Sequence, residues 1–158
     1  MVNDQIAQRL AGLGLELPQL PAPRYHYIPA THTGELWFFS GKTPIVAGAL
    51  LHPGRLGDLS VDKGRQAARV AALNLLAAIE TELGLENVSR VLKITGFVAS
   101  ADGFVEQPTV IDAASELLVD VLGDAGRHAR SAIGVASLPG NAAVEVEAIV
   151  SATRRQIA

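Results

Sequence analysis

The sequence predicts an α+β domain: a mixed sheet with two long helices packed on one face. Three observations carry that expectation. Residues 61–83 and 109–122 repeat apolar side chains at helical spacing, while the segments around them alternate with a period of two. Helices and strands alternate along the chain instead of falling into separate blocks. The last apolar stretch, residues 128–150, reads as a β-hairpin turning at Leu138-Pro139-Gly140-Asn141.

Each element has its own signal. Residues 3–13 form a short amphipathic helix, capped by Asn3 or Asp4, with Ile6, Leu10 and Leu13 on one side and Gly14 as its stop. Pro18, Pro21 and Pro23 then hold residues 17–23 extended. Residues 1–23 are thus an N-terminal helix and connector, and 24–158 a single domain. Tyr25–Ile28 is a short strand candidate, Thr33-Gly34 a turn, Glu35–Gly41 a strand, Ile45–Ala49 a possible third, and His52–Asp58 a loop. In the helix at 61–83, Val61, Ala68, Ala71, Ala72, Leu75, Leu76 and Ile79 mark one face, and Gly84 ends it. Val88–Ala99 is a strand rich in β-branched residues, followed by the Asp102-Gly103 turn. The helix at 109–122 points Val110, Ala113, Ala114, Leu117, Leu118 and Val121 inward.

Composition narrows the function. The chain of 158 residues is 49% hydrophobic but only 4% aromatic, so Ala, Val, Leu and Ile build the core. That much apolar residue in a small domain leaves apolar surface, which favours an oligomer. Net charge is −3 and no Lys/Arg run occurs, so a nucleic-acid partner is not expected. With no cysteine, disulfides, thiolate metal sites and cysteine nucleophiles drop out. The four histidines lie at no ligand spacing, and no metal or cofactor is expected. Asp4 and Arg9 interrupt any signal-peptide pattern, and the apolar runs are too short to span a bilayer. A cytoplasmic protein with no membrane partner is the expectation.

The chemistry-bearing residues lie in the last stretch. Arg130 enters a strand whose neighbours, Ala132 and Gly134, are small and leave room on its face. A guanidinium there is either a solvated charge or a fork for a carboxylate. Glu145 and Glu147 share one strand face, and Val144, Val146, Ala148 and Val150 the other. Paired across the expected hairpin, Glu145 falls opposite Ala132–Gly134, close to Arg130. The glutamates are either a solvated face or a base that positions water. Ser40, at the end of its strand, has a hydroxyl for a polar ligand but no basic partner that would make it a nucleophile, and Lys42 reads as solvated. His128 reads as structural in the first place and as a site residue in the second.

Ala129–Val150, with its Arg, Leu-Pro and Val-Glu-x-Glu-Ala pattern, resembles the C-terminal signature of the reactive intermediate deaminase family, also called Rid, YjgF or L-PSP. Leu36–Pro44, residues 63–79 and Val91–Val98 are similar to its early strand, first long helix and central strand, so the likeness spans roughly residues 24–152. It implies a chorismate mutase-like fold and a homotrimer with ligand clefts between subunits. It further implies hydrolysis of reactive enamines and imines, such as 2-aminoacrylate, to keto acids without cofactor. Under it, Arg130 grips the substrate carboxylate, Glu145 positions water, and Ser40 and Tyr27 line the cleft. The family's asparagine falls near Asp112 and its cysteine at Ala132, two departures. Two other readings are a non-catalytic trimer binding small carboxylates and an endoribonuclease. The leading helix, proline segment and long Thr43–Asp58 loop mark a longer subgroup.

Overall fold

A computed structural model of the chain describes residues 4–153. In order, its elements are α1 (Asp4–Gly12), β1 (Ala30–Thr33), β2 (Leu36–Lys42), β3 (Ile45–Val46), β4 (Ala49–Leu50), α2 (Val61–Glu82), β5 (Val88–Ala99), α3 (Gln107–Leu122), β6 (Ala129–Val135) and β7 (Val144–Ala152). Five strands form one sheet in the order β1-β2-β7-β5-β6, with β5 and β6 parallel and the other pairs antiparallel. The expected mixed sheet is present, and both long helices cover the same face of it. Val91, Ile94, Val98, Val144, Val146, Ala148 and Val150 pack beneath Ala68, Ala71, Leu75, Leu76 and Ile79 of α2 and Val110, Ile111, Leu117 and Leu118 of α3, all buried. The helix faces read from periodicity are therefore the faces that bury.

Strand pairing corrects the sequence reading at its central point. β6 and β7 are not a hairpin, because β5 lies between them and pairs with both. α3 is the crossover that lays β6 parallel to β5, and the chain then crosses β5 to reach its other edge. The connector is anchored elsewhere: Gly54 N–H donates to the carbonyl of Asn141 at 2.9 Å, and Ala99 N–H to that of Ala143 at 2.9 Å. β7 takes the centre, the long β5 lies between it and the edge, and β6, with Ser131, Ala132 and Gly134, is the edge strand.

Two further expectations change. Tyr25–Ile28 is a bend and not a strand: Tyr27 N–H bonds back to the carbonyl of Tyr25 at 2.8 Å, Pro29 follows, and Tyr25 and Ile28 have little to pack against. The strand forms just beyond it, at β1, where His32 stacks on its cross-strand partner Trp37 at 4.4 Å between ring centres. The third strand is a separate two-stranded hairpin, β3–β4, turned by Ala47 and Gly48 at positive φ. Asn74, the buried polar side chain of α2, holds that segment by donating to the carbonyls of Thr43 (2.9 Å) and Ile45 (3.0 Å).

Ser60 caps α2, its Oγ accepting from Lys63 N–H at 3.3 Å. α1 docks Ile6 and Leu10 into the main core, and Leu15, Leu17 and Leu20 of the connector pack against it. Asn3, an expected cap of α1, lies outside the described residues. Among the described residues, no helix is long and apolar enough to cross a membrane.

Candidate functional site

Arg130 lies on the helix-covered face of the edge strand β6, in the row of Ile94 and Ala148. Asp112 and Ser115 reach it from α3, being three residues apart and so on one helix face. Nη1 of Arg130 donates to Asp112 Oδ1 at 2.9 Å and to Ser115 Oγ at 3.1 Å. His128, two residues earlier on the same side of the chain, completes the cluster. Its ring bonds the Gly126 carbonyl through Nδ1 at 2.6 Å and Ser115 Oγ through Nε2 at 2.9 Å. A carbonyl only accepts, so in the neutral ring Nδ1 carries the proton and Nε2 is bare. The Ser115 hydroxyl must then donate to Nε2 while accepting from Arg130. Every proton in the chain Arg130–Ser115–His128–Gly126 has one consistent direction.

Burial favours that neutral ring. It pushes the His128 pKa below the usual histidine value and the nearby Arg130 charge adds to this, against the Gly126 hydrogen bond, which raises it. A histidine with a depressed folded pKa stabilises the fold above its unfolded pKa, and that contribution fades as pH falls through the folded value. Urea midpoints are expected to drop on acidification from about pH 7.5 to 5, the range in which an ordinary histidine titrates. His128→Gln, which cannot titrate, should show a shallower drop. An identical pH slope in the two proteins would remove this role.

Glu145 belongs to a second cluster. Its row holds Phe97 and Ile133, on the face of the sheet away from the helices. β2 is irregular between Phe39 and Lys42, and Gly41 sits in that irregularity directly against the Glu145 carboxylate, where a Cβ would collide with it. Burial raises the Glu145 pKa above the usual carboxylate range, and the Glu147 charge raises it further. Ser40 lies beside Gly41, and its hydroxyl donates to the carbonyl of Ile28 at 2.8 Å, tying down the bend that carries the half-exposed Tyr27. Lys42 is half-buried and not solvated as the sequence suggested, and desolvation lowers its pKa despite the opposing Glu82 charge.

The candidates therefore form two groups. Asp112, Arg130 and Ala132 are together, on the helix side of β6 and its facing helix. Ser40 and Glu145 meet at Gly41, with Tyr27 on the adjoining bend. The expectation that Glu145 falls beside Arg130 across a hairpin is overturned. Alternation in strands separated by β5 puts the two side chains on opposite faces of the sheet. Glu147, in the row of Thr95 and Ser131, lines a shallow hollow of about 130 Å³ on the open face with Phe38, Lys93 and Ile149. Ser115 is the residue the sequence reading missed. The spacing Asp112/Ser115 on a helix and His128/Arg130 on a strand was the available signal.

The family described as "YjgF/chorismate_mutase-like, putative endoribonuclease" matches residues 7–150. The chain belongs to the YjgF family. Protein TCP17 of Trypanosoma cruzi is 41% identical over 155 residues, spanning 95% of this chain and 96% of that one. The crystal structure of Atu1372 from Agrobacterium tumefaciens, a protein of unknown function, superposes with a TM-score of 0.88 at 44% identity, covering 96% of this chain and 94% of that one. A "putative endoribonuclease" from Shewanella oneidensis MR-1 also reaches 0.88, at 31% identity, with 92% and 98% covered. The YjgF match begins at residue 7, within α1, and so extends further toward the N-terminus than the likeness read from the sequence, which began near residue 24. Within this YjgF chain, Asp112, one of the two departures from the family pattern, is the ion-pair partner of Arg130.

Proposed function

We propose that the protein hydrolyses reactive enamine and imine acids of the 2-aminoacrylate type to keto acids and ammonia. The observation that carries this reading is the guanidinium of Arg130. It is fixed through Nη1 alone, and among the described residues its Nε and Nη2 take no hydrogen-bond partner. That leaves a forked edge suited to a carboxylate. Hydrolysis adds water across the C=N bond and expels ammonia as the C=O bond forms, so it needs orientation and a proton acceptor and no cofactor. Glu145, with its raised pKa, suits the water-positioning role.

One protomer cannot present Arg130 and Glu145 to the same ligand, since they face opposite ways. The reading therefore includes a homotrimer in which the β6 edge of one protomer meets the open face of the next. The exposure of that face supports it: Leu36, Phe38 and Ile133 are 39, 41 and 43% exposed on the sheet side that carries no helix. The pairing of Arg130 with Asp112 favours a second reading, a trimer that binds small carboxylates without turning them over. An acidic chain of net charge −3 gives the endoribonuclease reading little support.

Glu145→Gln separates the first two. Deamination of 2-iminopropionate is expected to fall about 100-fold, while carboxylate binding at Arg130 persists. Binding without any rate acceleration by the wild type would establish the second reading. The same variant carries a stability signature. A carboxyl whose folded pKa is raised favours the fold below its unfolded pKa and loses that contribution as pH rises through the folded value. Glu145→Gln, which mimics the neutral acid, should match the wild type at about pH 4 and exceed it at neutral pH.

A further inference from the structure

We infer that Asp112 makes the Arg130 site selective for zwitterions, meaning carboxylates with a cationic nitrogen on the adjacent carbon. This rests on the reading of Arg130 as a carboxylate anchor and names the class of molecule it takes. An arginine and a carboxylate meeting on a surface usually pair fork to fork, which uses up both partners. Here the geometry is different. A single nitrogen, Nη1, serves both Asp112 Oδ1 and Ser115 Oγ. Nε and Nη2 of Arg130, and Oδ2 of Asp112, have no partner among the described residues. The Asp112 side chain is 53% exposed and that of Arg130 24%, so the carboxylate stands at the outer rim of the guanidinium.

A ligand approaching this pair meets one positive and one negative group side by side. A simple keto acid gains the guanidinium but brings its own negative charge against Asp112. An α-amino or α-iminium acid brings a second, cationic group for Oδ2 and satisfies both. Ser115 and His128 keep the arrangement from collapsing into a bidentate pair, because Ser115, its proton committed to His128, holds Nη1 from the α3 side. The consequence for the proposed reaction is directional. The protonated imine fits both charges, and the keto acid left after ammonia departs leaves Asp112 unsatisfied, which favours release.

L-Alanine and pyruvate share a carbon skeleton and differ in the nitrogen, so they test this directly by calorimetry. The wild type is expected to prefer alanine by about tenfold, the worth of one hydrogen bond between charged groups. Asp112→Asn, nearly the same shape, should bind pyruvate more tightly and alanine more weakly, so that the preference disappears or reverses. The ratio is measured within each protein and does not depend on how stable the variant is. If the wild type binds both and Asp112→Asn leaves the ratio unchanged, the zwitterion inference fails while the carboxylate anchor stands. If the wild type binds neither, the anchor fails and the inference with it.

Discussion

Arg130→Ala is expected to lose carboxylate binding and imine turnover by at least about 100-fold while the protein stays folded. Two charge-assisted hydrogen bonds to a ligand carboxylate, at about 1.5–3 kcal/mol each, set that scale. The structural cost is smaller. Asp112 is more than half exposed and rehydrates when its partner goes, and exposed ion pairs contribute about 0–1 kcal/mol. Ser115 keeps His128 as a hydrogen-bond partner. Arg130→Lys should not restore binding, because an ammonium is a point charge and cannot reproduce the planar fork that meets a carboxylate with two parallel bonds. Calorimetry with pyruvate and a coupled assay for keto acid release would measure both losses. Deamination of 2-iminopropionate by Arg130→Ala at the wild-type rate would sink the assignment.

Gly96→Val should be among the most destabilising single changes in the sheet. Gly96 lies in the middle of β5, in the row of Val146 and Ala132 on the helix-covered face. A Cβ there would stand 2.5 Å from both Cδ1 and Cγ1 of Ile111, so α3 rests directly on the strand backbone. Overfilling a dense core costs about 1–3 kcal/mol, and three added carbons at a fully packed contact put this change at about 3 kcal/mol. The melting temperature should fall by about 10 °C. The close approach also sets the height of α3 above β6, and with it the reach of Asp112 and Ser115 to Arg130. Gly96→Ala should therefore weaken pyruvate binding as well as stability. Adding Ile111→Val to Gly96→Ala should recover part of both, a coupling that a double-mutant cycle reads out. Strict additivity would mean that Gly96 acts through something other than Ile111.

The two predictions rest on parts of the molecule that were unequally visible in the sequence. The bounds of β5 could be read to the residue, since Val88–Ala99 is rich in β-branched residues and ends at a turn, and the buried face of α3 followed from its period. That Ile111 would sit on Gly96 could not, because it depends on how two elements are stacked. Arg130 and Glu145 stood out as charges in strands built of small and branched residues. Their relation was misread because neighbours in sequence were taken for neighbours in the sheet. A period of two is the same whether a strand pairs with the next one or with one inserted between them. Tyr25–Ile28 misled for a related reason: aromatic and β-branched content favours a strand only where something is present to pair and pack, and there the chain bends.

By itself, the sequence determined what was local. Helical and strand periods, caps and turns depend on residues a few positions apart, and they defined the elements, their inward faces, the aliphatic core and the family pattern around Arg130. The tertiary structure decided what depends on distant contacts. Laying β6 parallel to β5 through α3 is a choice of pairing that no short window of residues encodes. That choice turns Arg130 toward Asp112 and Ser115, turns Glu145 toward Gly41 on the other face, and leaves a carboxylate and a guanidinium side by side at the edge of the sheet.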